Sequence, residues 1–287
     1  MEGNIEKNKL MQSVLKKSEG LQRGMKSRHV MMIAVGGTIG TGLFLGSGYV
    51  LQEAGPGGAL AAYIVGGILM YIMMMCLGEL VVAMPVAGST QAYADEFISP
   101  SIGFMSGWIR WIACAVTITS QLVATSIIMK NIIPGVPSFV WIIAFTLLLF
   151  ALNLFPSRGY GESEFWFAGI KIITIIVFGL TALGLIMGLG GSDSAGLNHA
   201  AGGQWFPGSV KSILITIMTA SFAYGGVDLV ASAAGESEEP EKNLPRTIYR
   251  VIFGLILIYL VSLLLLSFVL PWQDADLKGS PFAYVFK

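Results

Sequence analysis

Charge is what this 287-residue sequence has least of: 12% of its residues are Asp, Glu, Lys or Arg, against roughly 25% in an ordinary soluble domain. With 54% hydrophobic residues beside that figure, the composition excludes a soluble globular domain and places the chain in a bilayer. The formal net charge is zero, so nothing argues for nucleic-acid binding. Cysteine is scarce as well. Cys76 and Cys114 both fall inside apolar runs, so no disulfide framework is implied. His29 and His199 stand alone, and no group of residues has metal-ligand spacing. With no nucleophile–base pair and no cofactor motif either, an enzyme is not expected and no cofactor or metal is called for. Residues 1–29 are polar and basic and lack the short apolar core of a signal peptide, so the first apolar segment must act as its own insertion signal.

What the sequence has is apolar segments, seven of them, at 30–52, 58–84, 103–129, 137–155, 164–190, 209–234 and 247–271. A spanning helix needs about 20 apolar residues. Basic residues in the connections set the orientation. With the N-terminus in the cytoplasm, eleven of them lie inside (seven in the tail, then Arg158, Lys242, Arg246 and Arg250) and three outside, Lys130, Lys211 and Lys278. The tail, 1–29, either lies on the membrane through Leu10, Met11, Val14 and Leu15 or is a disordered basic stretch. The organisation expected is a cytoplasmic tail at 1–29, five helices at 30–190, an extracellular loop at 191–208, and a second group opening at 209–287. The Ser-Pro and apolar run after Gly279 reads as the start of an eighth helix too short to span, so the chain is expected to be truncated.

One stretch breaks the pattern. Residues 36–48, GGTIGTGLFLGSG, contain six glycines in thirteen positions, each costing a helix interior about 1 kcal/mol relative to alanine. Such a run is either a close-packed seam of the Gly-x-x-x-Gly kind or an interruption of the helix. Non-helical backbone at membrane depth survives where protein buries it or where it lines a cavity. The sixth segment repeats the oddity at Ala223-Tyr-Gly-Gly-Val-Asp228. Five is an odd offset, so a five-helix repeat would insert upside down relative to its predecessor. Inverted repeats led by discontinuous helices point to a transporter binding site at the midplane. The paired breaks therefore favour a site over a seam. Asp228 beside the second break is an intramembrane carboxylate, a functional candidate by default, or else an acid that only ties the broken backbone together.

Four stretches resemble a known family: 36–48, the run at 78–89 with Gly78-Glu-Leu and Met84-Pro-Val-Ala-Gly-Ser, GESEFWFAGIK at 161–171, and AAGESEEPEKNLPR at 233–246. From about residue 20 onward the chain resembles bacterial amino-acid permeases of the amino acid–polyamine–cation superfamily, most of all the arginine/ornithine and lysine permeases. The resemblance implies an all-α integral membrane protein with a LeuT-like core of five plus five inverted helices, of which this chain supplies the first seven and the start of the eighth. It also implies a secondary transporter that takes an amino acid across the bacterial plasma membrane by proton symport, with amino acid, proton and lipid bilayer as its partners.

Broken helices offer free N–H groups at the start of one half-helix and free carbonyls at the end of another. The resemblance puts the substrate carboxylate on the N–H groups around Gly40, Thr41 and Gly42. The ammonium would face carbonyls near Thr38 and those of Phe222, Ala223 and Gly225. Phe222 matches an aromatic gate position, or is a packing residue. Most close relatives carry Glu where Asp228 stands, so this chain departs from them by one methylene. Lys171 either snorkels to the cytoplasmic interface or, buried, loads and releases the coupling proton; the resemblance favours coupling. Thr117, Gln121 and Thr125 recur every four residues and are expected to face the bundle interior. Many lysine- and arginine-type relatives have an acid where Gln121 stands, which puts a basic substrate in doubt. Arg110, between Trp108 and Trp111, reads as a snorkelling cation in an aromatic belt. Glu79 reads as structural, and 236–250 as a charged inner loop or short helix.

Three rivals remain open in the sequence: an exchanger on the same scaffold, a fragment that does not transport, and a sensor that binds without transporting.

Overall fold

The computed structural model describes residues 27–84, 86, 90–154, 160–188, 205–228, 240–270, 272 and 280–285. Residues 1–26 of the tail expected at 1–29, most of the loop at 191–208 and the continuation of the sixth segment at 229–235 lie outside the described residues, while 27–29 already belong to α1. Among the described residues, ten helices follow in order: α1 Ser27–Thr38, α2 Thr41–Phe44, α3 Gly46–Ala83, α4 Thr90–Phe97, α5 Pro100–Ile132, α6 Ser138–Asn153, α7 Tyr160–Ile186, α8 Val210–Ala223, α9 Pro240–Val269 and α10 Pro281–Val285. Among the described residues, four helical stretches are long and apolar enough to cross a membrane: Gly46–Ala83, Pro100–Lys130, Phe165–Ile186 and Arg246–Val269. Ser138–Leu152 and Val210–Ala223 are shorter apolar helices.

The boundary expected between the first two segments falls inside α3. Gly55 adopts φ 70°, ψ 176° there and Pro56 follows. Glycine tolerates the left-handed φ, and proline starts the second arm where a missing N–H costs no hydrogen bond. The N–H of Gly57, without an acceptor so early in a helix, donates to the Trp205 carbonyl at 2.8 Å. That bond anchors the approach to α8. At the other end of the chain, part of the segment at 236–250, expected as a charged inner loop or short helix, is the opening of α9, which starts at Pro240 with proline in the first turn.

The core is built around the second arm of α3, which packs against both α8 and α9. α1 lies on α7, and α9 touches α7 and α1. The buried cluster runs through Ala34, Ile39, Leu43, Tyr63, Met74, Phe178, Tyr224, Tyr259 and Leu266. α5 packs chiefly against α4 and α6. Between spans, the Tyr93 hydroxyl of α4 donates to the Met84 carbonyl at 3.1 Å, and burial pushes that phenol up to about 12, keeping it a neutral donor. α10 sets Phe282 between Phe44 and Phe178, ring centroids 5.0 and 4.5 Å away.

Candidate functional site

The glycine run is interrupted where the sequence placed the problem. α1 ends at Thr38, and Gly40 is extended, at φ −156°, before the chain turns helical again at Thr41. A helix that stops in the bundle leaves its last four carbonyls without intrahelical donors. Here three of the four find donors, and the fourth packs on glycine. Val35 accepts from the Ile39 N–H at 2.9 Å. Gly36 accepts from Lys171 Nζ at 2.6 Å. The Gly37 carbonyl lies against Gly226. Thr38 accepts from the Tyr259 hydroxyl at 3.3 Å, its own hydroxyl being tied back to Ala34. On the far side, Gly40 caps the new helix with no side-chain bond, and its carbonyl takes the N–H groups of Leu43 and Phe44.

The sixth segment stops in the same way. α8 ends at Ala223 and residues 224–228 are a run of turns. Phe222 accepts from the Gly225 N–H at 2.9 Å, and Ala223 from the Tyr259 hydroxyl at 2.8 Å. The two breaks touch. Gly42 meets the Ala223 backbone so closely that a methyl group there would collide with it. Gly226, at φ 97°, brings its Cα so near that a Cβ would stand 2.7 Å from the Gly37 carbonyl oxygen. Only glycine meets both demands at 226, a positive φ and no side chain.

Three buried tyrosines hold this junction, and the sequence reading missed them. Tyr259 bridges the Thr38 and Ala223 carbonyls, one from each break. Tyr63 donates to Gly42, and Tyr224 to the Tyr63 carbonyl at 2.9 Å. Their rings pack on one another with centroids 5.0 to 6.2 Å apart. A tyrosine in an apolar helix reads as core; the signal that could have singled these out is that a buried phenol must find an acceptor.

Of the residues expected at the site, Thr38, Gly40, Thr41, Gly42, Ala223 and Gly225 lie at the two breaks. Phe222 is 50% exposed and is not part of the core. Lys171 crosses from α7 to the Gly36 carbonyl. Gln121 is exposed on α5, and among the described residues its side chain makes no hydrogen bond to the breaks. The Thr125 hydroxyl of the same stripe bonds back to the Gln121 carbonyl at 2.8 Å. Arg110 corrects its aromatic-belt reading. Its Nη1 reaches Asp228 Oδ2 at 2.6 Å, tying α5 to the second break, while Trp108 and Trp111 pack edge to face. Glu79 is exposed.

Among the described residues, four long apolar helices, with two shorter ones that end at one buried junction, define the class: a helical, multi-pass membrane protein. Residues 29–287 match the family described as Amino acid permease, and the chain belongs to that family, one of membrane transporters and not of enzymes. It is 43% identical over 271 residues to the amino-acid permease RocE of Bacillus subtilis, an alignment covering 93% of this chain and 58% of that protein. It is 46% identical to RocC of the same organism, over 92% of this chain and 57% of RocC. Against the lysine-specific permease LysP of Escherichia coli the identity is 39%, over 93% and 57%. The chain thus spans somewhat over half the length of these curated relatives.

Proposed function

We propose that the chain carries the substrate site of a secondary amino-acid transporter of the plasma membrane, with its N-terminus in the cytoplasm and uptake driven by protons. The single observation that carries this reading is the junction of the two breaks, Gly42 on Ala223 and Gly226 on Gly37, with one tyrosine hydroxyl spanning both. A zwitterion replaces its water there with backbone: the carboxylate on N–H groups at Gly40 to Gly42, the ammonium on carbonyls at Thr38, Phe222, Ala223 and Gly225. A carbonyl has two lone pairs, so Thr38 and Ala223 keep one each beside Tyr259. Phe222 closes over the site. Asp228 and Gln121 border it. The helices are read as the leading part of a five-plus-five inverted repeat, 30–190 and 209–287. The relatives' names, lysine permease among them, agree with an amino acid as substrate.

Lys171 is the coupling group. Its ammonium holds the Gly36 carbonyl at the end of α1, so losing the proton weakens a bond on the broken helix itself. In proteoliposomes, amino-acid accumulation is expected to require an inward proton gradient, and Lys171→Ala to abolish its pH dependence. Accumulation that needs a counter-substrate inside and no gradient would make the protein an exchanger. Lys171→Ala uptake with unchanged pH dependence would remove the coupling role.

A further inference from the structure

The Arg110–Asp228 pair is a charged contact that the proposed site leaves without a role. It joins α5 to the turns that follow α8, far apart in sequence, at 2.6 Å, and both side chains stay partly open, 42% and 28% exposed. Asp228 lies two residues beyond Gly226, whose Cα sits against Gly37 and Thr38, so this acid follows closely on the junction in the chain. Without Arg110, that acid would be an anion beside the substrate site, suited to an ammonium or guanidinium on a substrate side chain. With Arg110 the seat is taken. The guanidinium stays charged at any working pH and binds carboxylate with a rigid set of donors. A cationic side chain would have to displace Arg110 or share its partner, bringing two like charges together. An anionic one would meet Asp228. An uncharged side chain needs neither.

We infer that Arg110 is a specificity-determining residue: by occupying Asp228 it excludes amino acids with cationic side chains and leaves the site to those with uncharged ones. Discrimination of this kind comes from a repulsive element as much as from an attractive one. The inference rests on the amino-acid site proposed above and names its substrate class.

Equilibrium binding of radiolabelled leucine, lysine and glutamate to the chain in lipid nanodiscs tests it, with the lysine-to-leucine affinity ratio as the readout. That ratio is independent of the folded fraction. The unaltered chain is expected to bind leucine at least about tenfold more tightly than lysine or glutamate. Arg110→Gln should move the ratio toward lysine by about tenfold or more. Arg110→Lys should keep lysine out, and Arg110→Gln with Asp228→Asn should remove the gain. Lysine binding as tight as leucine in the unaltered chain, an unmoved ratio in Arg110→Gln, or a gain that survives Asp228→Asn overturns the inference and leaves the site standing. Binding of none of the three by the unaltered chain overturns the site and the inference together.

Discussion

Tyr259 concentrates at one atom the chemistry that the junction needs. Its hydroxyl serves the Thr38 carbonyl of one broken helix and the Ala223 carbonyl of the other, so it fixes the spacing between two groups proposed to receive the ammonium. Tyr259→Phe keeps the ring and removes both bonds. At about 0.5–1.5 kcal/mol net per bond, amino-acid affinity should fall about tenfold while helix content stays unchanged. Binding isotherms and circular dichroism check this; undiminished affinity would make Tyr259 a packing residue. The partners explain why the tyrosines were illegible in the sequence: Tyr259 and Thr38 are 221 residues apart, Tyr224 and Tyr63 161. Arg110 was hidden for a related reason. Between two tryptophans, a cation has a sufficient local explanation, and only the fold brings Asp228 within reach. Lys171 was more legible, because a lysine well inside an apolar segment needs a partner wherever it points.

At the scale of elements, glycine did most of the signalling. The run at 36–48 and the pair at 225–226 mark interruptions that apolar character alone would have smoothed over, and the structure breaks the helices within both. Which glycines serve the break and which serve packing depends on contacts. Gly226 needs both its positive φ and its bare Cα, whereas a Cβ at Gly46 would stand 3.5 Å from Thr219 Cγ2, an ordinary contact. Gly226→Ala should therefore cost about 1–3 kcal/mol from its dihedral alone, and more from the Gly37 carbonyl. It is expected to lower the melting temperature and to lose amino-acid binding, while Gly46→Ala leaves both as they were. Equal effects at the two positions would mean that the break is not specially built. The polar stripe on α5 was less informative. A helical period of four places Thr117, Gln121 and Thr125 on one face but does not say which neighbour that face meets. α5 packs mainly on α4 and α6, and Gln121 is left exposed.

For the molecule as a whole, composition settled the bilayer, and the four motif stretches agree with the family that residues 29–287 match. What composition could not supply was the way the two interrupted helices meet, because backbone-to-backbone approach leaves no trace in sequence beyond the absence of side chains. The central claim is that both breaks line one amino-acid site. With Cys76 and Cys114 replaced by serine, single cysteines at Thr41 and Gly225 put one reporter on each break, at positions that are not fully buried. Their maleimide labelling rates, measured against leucine concentration in nanodiscs, give the most direct test. Both cysteines should be protected with the same half-saturating concentration, since one molecule covers both. Protection at one break without the other, or at widely different concentrations, would contradict a shared site.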